Sequence, residues 1–276
     1  MNVMPPKSRS IAPRLVAPRL AAPRLIAIAS GKGGVGKTWF AITLAHALTR
    51  VGLRVLLFDG DLGLANVDVQ LGMMPRHDLG SVISGRVSLA EAVTRHEEAG
   101  FDVLAGQSGS GALSALDPAH LDRTLPRLRT EADMYDVVLL DLGAGVERGV
   151  RRMAAFADTL IVLATEEPTS LTDAYAVLKL YATDRVGGDA RVLVNQASNR
   201  GAGERTFTTL RRACGTFLRA EPTLAGIVRR DDRVKDAIRR QTLLLTRHPS
   251  CAAAMDVEAV AGTLVETWAR EQEAVG

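Results

Sequence analysis

A short segment near the start of the chain combines glycines with lysines in a spacing that could hold a phosphate group. Residues 31–38 read Gly-Lys-Gly-Gly-Val-Gly-Lys-Thr and directly follow an apolar run. Glycines at this spacing let the backbone wrap a triphosphate while N–H groups at a helix start point toward it. Lys37 is then the cation on the β- and γ-phosphates, and the Thr38 hydroxyl is a magnesium ligand. The predicted nucleotide-binding residues of this segment are Gly31, Lys32, Gly33, Gly34, Val35, Gly36, Lys37 and Thr38.

Hydrolysis of a bound triphosphate also needs carboxylates that hold the metal and orient water. Asp59 and Asp61 follow one apolar run, and Asp141 closes the run Val137–Leu140. Because ligands lie at the carboxyl ends of strands in an open α/β sheet, we expect these acids to converge on the phosphates. Asp141 fits a second-sphere magnesium carboxylate, although an aspartate that ends a strand can also be only a helix cap or turn former.

A second lysine, Lys32, lies five positions before Lys37. A side chain at the start of the loop can point away from its own phosphates as easily as toward them. The residue types alone therefore assign Lys32 no role.

Short apolar runs alternate with helical patterns along the chain, which is typical of a mostly parallel sheet covered by helices on both faces. The runs lack period-2 alternation, as expected for strands that are buried on both sides. We therefore predict a doubly wound α/β fold, with residues 25–276 as a single domain. The predicted strands are Leu25–Ala29, Arg54–Phe58, Phe101–Leu104, Val137–Leu140, Leu160–Ala164, Arg191–Asn195 and Leu224–Val228.

The last segment has an apolar helical face, and two uses of that face are open. It could pack against the sheet, or it could lie on a membrane surface, which would favour lysines and arginines beside the apolar face. The polar side instead carries four glutamates, so packing is favoured. The apolar residues are Val257, Val260, Ala261, Leu264, Val265 and Trp268.

The first 24 residues form a basic tail in which Ala-Pro-Arg-Leu begins at 12, 17 and 22. We predict a disordered extension, because proline blocks helix continuation, with docking on an acidic partner as the alternative. Prolines also interrupt any apolar core of a secretory signal there. Cys214 and Cys251 are too far apart for a zinc or cluster motif. These features indicate a cytoplasmic protein.

The motifs together resemble the MinD/ParA ATPases. The segment from Lys32 to Thr38 resembles that family's deviant Walker A loop, and Asp59–Asp68 resembles its second motif. Two further stretches, Asp141–Gly145 and Glu167–Tyr175, look more like the FlhG/FleN (YlxH) branch of flagellar-number regulators than like MinD.

The resemblance implies a P-loop NTPase fold with ATP and Mg²⁺ as cofactors, and a homodimer that sandwiches two ATP molecules. It assigns Lys32 to the partner subunit's phosphates, Asp61 to the attacking water, and Asp59 and Asp141 to the magnesium environment. It also assigns Asn195 to the adenine edge. Asp173 then belongs to a segment that responds to nucleotide state and contacts partners.

On this basis the predicted function is a dimerisation switch with slow ATP hydrolysis that controls the number or placement of flagella. Its implied partners are a flagellar GTPase or a transcriptional regulator. Peripheral binding at the inner face of the cell membrane is a further implication, although the family's basic amphipathic anchor is not evident.

Two alternatives remain open. The first is a MinD-like division-site or ParA-like DNA-partitioning ATPase, for which a basic cluster at residues 229–240 could face DNA. Because aspartates interrupt that cluster, a solvated helix face is favoured and DNA is not the expected partner. The second is a metabolic P-loop ligase, which would need a substrate pocket for which the chain leaves little room.

Overall fold

The structure is a computed structural model that describes residues 20, 22–61, 63, 65–106 and 118–274, without the side chains of 118–120. Most of the Ala-Pro-Arg-Leu tail, and therefore the prediction made for it, lies outside the described residues. Within them no helix is both long and apolar enough to cross a membrane. Both cysteines are buried free thiols.

Eight strands form one sheet in the order β3-β4-β2-β5-β1-β6-β7-β8 within the described part of the chain. All neighbouring strands run parallel except the antiparallel pair of β3 and β4. The strands are β1 Arg24–Ser30, β2 Val55–Gly60, β3 Thr94–His96, β4 Phe101–Leu104, β5 Val137–Ala144, β6 Thr159–Ala164, β7 Asp189–Ala197 and β8 Thr223–Arg229.

Helices cover both faces of this sheet. They are α1 Lys37–Arg50, α2 Val67–Leu71, α3 Leu79–Ile83, α4 Leu89–Ala92, α5 Pro118–Glu131, α6 Arg148–Phe156, α7 Pro168–Asp184, α8 Arg200–Leu218, α9 Asp232–Arg239, α10 Leu244–Arg247 and α11 Ala252–Glu273. The predicted doubly wound architecture is confirmed.

Two hydrophobic cores lie on opposite sides of the sheet, because successive side chains of a strand point to opposite faces. In β1, Ile26 and Ile28 enter the core shared with α1, α2, α10 and α11. The alternate residues Leu25, Ala27 and Ala29 enter the core shared with α3 to α8. The apolar face of α11 is buried, as the sequence predicted.

Three differences from the sequence predictions concern the sheet. Strand β3 was missed because it has only three residues, none of them apolar. Strands β2 and β5 run beyond their apolar runs, so that Asp59 and Asp141 lie inside the sheet and face each other in its register. Strand β7 also extends two residues past Asn195.

Candidate functional site

The phosphate loop connects the end of β1 to the start of α1, at the centre of the sheet. Gly34 and Gly36 have φ angles of 81° and 93°, in the left-handed region that favours glycine. Gly36 is also the N-cap of α1, where no described side chain makes a capping hydrogen bond. The first N–H groups of α1 are therefore left without a side-chain cap and are available to an anion that binds in the loop.

Lys37 is buried at the base of this loop, with 9% of its surface exposed. Its Nζ donates to Ser30 Oγ at 3.0 Å, and the Ser30 hydroxyl donates to the Lys32 carbonyl at 2.7 Å. Burial lowers the pKa of Lys37, while the charges of Asp141 and Asp61 act in the opposite direction. The ammonium thus lies where a phosphate could replace the Ser30 hydroxyl as its partner.

Thr38 and Asp141 meet beside the loop, and their chemistry fits magnesium. The Asp141 carboxylate accepts a hydrogen bond from the Thr38 hydroxyl, and burial raises the pKa of Asp141 to about 7 despite that bond. Its Oδ1 is buried with no hydrogen-bond partner among the described residues. A hydroxyl and a carboxylate are oxygen ligands of the kind Mg²⁺ takes, together with phosphate oxygens and water.

Asp59 is tied to the segment that leads into α2. Its Oδ2 accepts hydrogen bonds from the backbone N–H groups of Asn66 and Val67 at 2.9 and 3.0 Å, and its Oδ1 accepts one from Asp61 at 3.2 Å. Burial raises the pKa of Asp59 to about 6, although these three bonds favour the charged form. Asp59 therefore holds this segment in place beside Asp141.

Asp61 lies across from the end of β5. Its Oδ1 accepts a hydrogen bond from Gly63 N–H at 3.1 Å. A Cβ added to Gly143 would lie 3.3 Å from the same oxygen, so the β5 backbone approaches the carboxylate closely. The structure thus brings the three predicted acids together beside Lys37.

Lys32 points away from its own loop. Its Nζ lies 2.7 Å from Glu167 Oε2 and 3.2 Å from Thr169 Oγ1, at the start of α7. The hydrogen bond from Lys32 lowers the pKa of Glu167. The start of the loop is therefore joined to α7 by an exposed ion pair.

Asp173 lies one turn further along α7, directly against the loop. A Cβ added to Gly31 would lie 2.3 Å from the Asp173 carbonyl oxygen. Only glycine fits this approach without movement, so the structure places Asp173 beside the nucleotide site.

Asn195, at the end of β7, is buried under the loop. Its Nδ2 donates to the Val35 carbonyl at 2.7 Å, and Gln196 Nε2 donates to the Gly34 carbonyl at 3.3 Å. The assignment of Asn195 to the adenine edge stays a prediction.

Sequence reasoning missed Gln196 and Ser30 as site residues. Each is a polar residue at or near the end of a buried strand that borders the loop, which was the available signal. Trp39, which follows Thr38, is buried in the core on the α1 face of the sheet.

These features define a P-loop nucleotide-binding protein: a glycine loop between a central strand and a helix, a buried lysine, and acids at the ends of adjacent strands. A family model described as the CobQ/CobB/MinD/ParA nucleotide binding domain matches residues 26–244. The chain belongs to this family, and it is an ATPase of the MinD/ParA type with a regulatory role.

Among known relatives, the chain is 35% identical to antiactivator FleN of Pseudomonas aeruginosa, over 88% of this chain and 86% of FleN. It is 28% identical to flagellum site-determining protein YlxH of Helicobacter pylori, over 87% and 81% of the two chains. Among solved structures, septum site-determining protein MinD from Pyrococcus horikoshii, complexed with Mg-ADP, matches with a TM-score of 0.74. That match covers 88% of this chain and 96% of MinD at 22% identity, and shows the shared fold.

Proposed function

We propose that this chain is an ATP-dependent dimerisation switch with slow hydrolysis that controls the number or placement of flagella. The observation that carries the flagellar part is the similarity to FleN, which extends over most of both chains. The switch part is supported by a loop whose two lysines have different surroundings, Lys37 buried below it and Lys32 turned outward.

In this proposal Lys37 holds the β- and γ-phosphates, and Thr38 and Asp141 hold the magnesium ion directly or through its water. Bound magnesium would neutralise phosphate charge. Asp61 orients the attacking water, Asp59 orders the segment before α2, and Asn195 lies at the adenine edge as the resemblance implies.

The dimer depends on Lys32. An ammonium that already contacts Glu167 at the protein surface is accessible to a second copy of the chain, whose triphosphate is a stronger anionic partner. Asp173 lies on α7 next to this contact and is proposed as a partner-contacting residue. Loss of the γ-phosphate would release the loops that bind it.

Two experiments test the proposal. Deleting the gene should change the number or position of flagella, and unchanged flagella would refute the flagellar role. Sizing the protein with ADP and with ATP should show a dimer only with ATP. Asp61→Ala should trap that dimer without turnover, whereas Lys37→Ala should bind no nucleotide.

A DNA-partitioning role finds less support in the structure. Asp236 contacts Arg240, Arg247 and His248, and the fully buried side chain of Asp256 pairs with Arg229. Within the basic cluster at residues 229–240, Arg229, Arg239 and Arg240 thus have carboxylate partners, which lowers its positive charge. Salt-sensitive retention on nonspecific DNA that requires ATP would reverse this conclusion.

For partners and location, we propose a cytoplasmic protein that acts on a transcriptional regulator or a flagellar GTPase. The first choice follows from the word antiactivator in the name of FleN. Peripheral binding at the inner membrane face is tested by sizing the ATP-bound Asp61→Ala protein with and without lipid vesicles.

A further inference from the structure

Two consecutive side chains near the end of β7, those of Asn195 and Gln196, contact backbone carbonyls of the phosphate loop. The Nδ2 of Asn195 lies 2.7 Å from the Val35 carbonyl oxygen, and the Nε2 of Gln196 lies 3.3 Å from the Gly34 carbonyl oxygen. Asn195 and Val35 are 160 residues apart in the chain, so this contact depends on the tertiary fold. Asn195 itself is buried, with 3% of its surface exposed.

A phosphate-binding loop needs such contacts for a geometric reason. When successive N–H groups converge on an anion, the carbonyl groups between them must turn away from it. A carbonyl that turns into the protein loses water and needs a donor in exchange. Val35 is buried, so the amide of Asn195 supplies the donor that its carbonyl would otherwise lack.

Gln196 shows how one strand delivers two donors to the same loop. Neighbouring side chains of a strand normally point to opposite faces. Gln196 instead has a φ of 55°, in the left-handed region, and the pairing of β7 with β8 is irregular between Val194 and Ala197. This local change of direction brings both amides to the loop, in a backbone conformation that is rare for residues other than glycine.

The loop is also shaped to receive Asn195. A Cβ added to Gly36 would lie 2.6 Å from Asn195 Nδ2. The absence of a side chain at Gly36 therefore lets the amide lie directly against the peptide that starts α1.

We propose that Asn195 and Gln196 are positioning residues that hold the Gly34 and Val35 carbonyls turned away from the triphosphate, so that the loop N–H groups converge on it. This inference rests on the proposed nucleotide site and gives Asn195 a second role besides the adenine edge. The second role predicts that a polyphosphate without a base also loses affinity when the amide is changed.

The test is Asn195→Asp, which keeps the shape of the side chain and replaces the donor by a carboxylate facing a carbonyl. Affinities for Mg-ATP, Mg-GTP and magnesium tripolyphosphate are measured by displacement of a fluorescent ATP analogue. We expect the affinities for all three to fall, with that for tripolyphosphate lower by about tenfold to a hundredfold. A loss for ATP with unchanged tripolyphosphate binding would limit Asn195 to the base and overturn the proposal.

Protonation supplies a second readout that a general loss of structure would not give. A protonated carboxyl can donate to the Val35 carbonyl, so the affinity of Asn195→Asp relative to wild type should recover at acid pH. A constant ratio would contradict the proposal. If Asn195→Asp does not fold, Gln196→Gly serves instead, since glycine keeps the left-handed backbone and removes only the donor. Its tripolyphosphate affinity should fall about threefold, and an unchanged value would count against the proposal.

Asn199→Asp is the matched control. It introduces the same charge four residues later, at the N-cap of α8, where Asn199 Oδ1 accepts a hydrogen bond from Ala202 N–H at 2.9 Å. A carboxylate accepts this bond equally well, so nucleotide affinity should stay at the wild-type value. Lys37→Ala distinguishes a failure of the proposed nucleotide site from a failure of the positioning role. Retained tripolyphosphate binding in Lys37→Ala would refute the nucleotide site itself, whereas its loss there with unchanged binding in Asn195→Asp would refute only the positioning role.

Discussion

The packing of Gly31 against α7 predicts a large effect of one added methyl group. A Cβ at this position would lie 2.3 Å from the Asp173 carbonyl oxygen and 2.5 Å from both its carbonyl carbon and its Cβ. These atoms belong to the helix backbone or are fixed to it, so no flexible side chain can turn aside. Ordinary contact between such atoms is about 3.5–4 Å. Gly31→Ala therefore requires the loop and α7 to separate by about 1 Å.

The energetic cost follows from the same contact. Forcing an additional methyl group into a well-packed position destabilises a protein by about 1–3 kcal/mol. In a domain of this size, each kcal/mol lowers the melting temperature by about 2–4 °C. We therefore expect Gly31→Ala to melt about 2–12 °C below wild type. Because Gly31 does not have a left-handed φ, backbone strain adds nothing to this value.

Gly33→Ala provides the control within the same loop. A Cβ at Gly33 would meet nothing within 4 Å, and this residue has no left-handed φ either. Its unfolding free energy should stay within about 0.5 kcal/mol of wild type. Both variants are compared without nucleotide by thermal melting and by urea titration. Equal stabilities of the two variants would refute the close packing of the loop on α7.

Three further predictions follow from other contacts. Glu167→Gln should raise the affinity of the ATP-dependent dimer several-fold, because it removes the charge that competes for Lys32. Sedimentation with ATP measures this affinity, and a weaker dimer would contradict the prediction. Burial lowers the pKa of His46 to about 4, below the value of about 6.5 in an unfolded chain. Below pH 6.5 the unfolded chain takes up a proton that the folded chain refuses, so the contribution of His46 to stability should fall by about 1–2 kcal/mol from pH 7 to pH 5. His46→Met should lack this component in urea titrations at the two pH values. Asp256→Asn should lower the free energy of unfolding by about 1–3 kcal/mol, because it weakens the ion pairs of a fully buried carboxylate. Asp232→Asn, at an exposed position of α9, should change the free energy of unfolding by less than about 0.5 kcal/mol.

The fold could be predicted because its local signals are strong. Apolar runs without alternation mark strands that are buried on both faces, and the glycine loop marks the junction of β1 and α1. The short polar strand β3 gave no such signal. Its pairing depends on its neighbour β4, which no local pattern reveals.

The site could be predicted only in part, for a different reason. Residue types identified Lys37, Thr38 and the acids, because each carries chemistry that a phosphate site needs. The contact between Lys32 and Glu167 joins residues 135 positions apart, and it exists because β1 and β6 are neighbours in the sheet. Such contacts are set by strand order, which the motifs do not contain. The loop-facing amide of Gln196 further depends on a left-handed backbone at a residue type that rarely adopts it.

The contacts of the loop explain how a small structural change at the phosphates could be transmitted to the protein surface. The loop is held from three sides: by Ser30 at the end of β1, by Asp173 on α7, and by Asn195 at the end of β7. Two of these supports are rigid strand ends, whereas α7 also carries the exposed partner of Lys32. Because α7 packs closely on Gly31 and carries the partner of Lys32, a movement of the loop on nucleotide binding would displace α7 with it. A partner that contacts the start of α7 would in this way distinguish the nucleotide-bound state without touching the nucleotide.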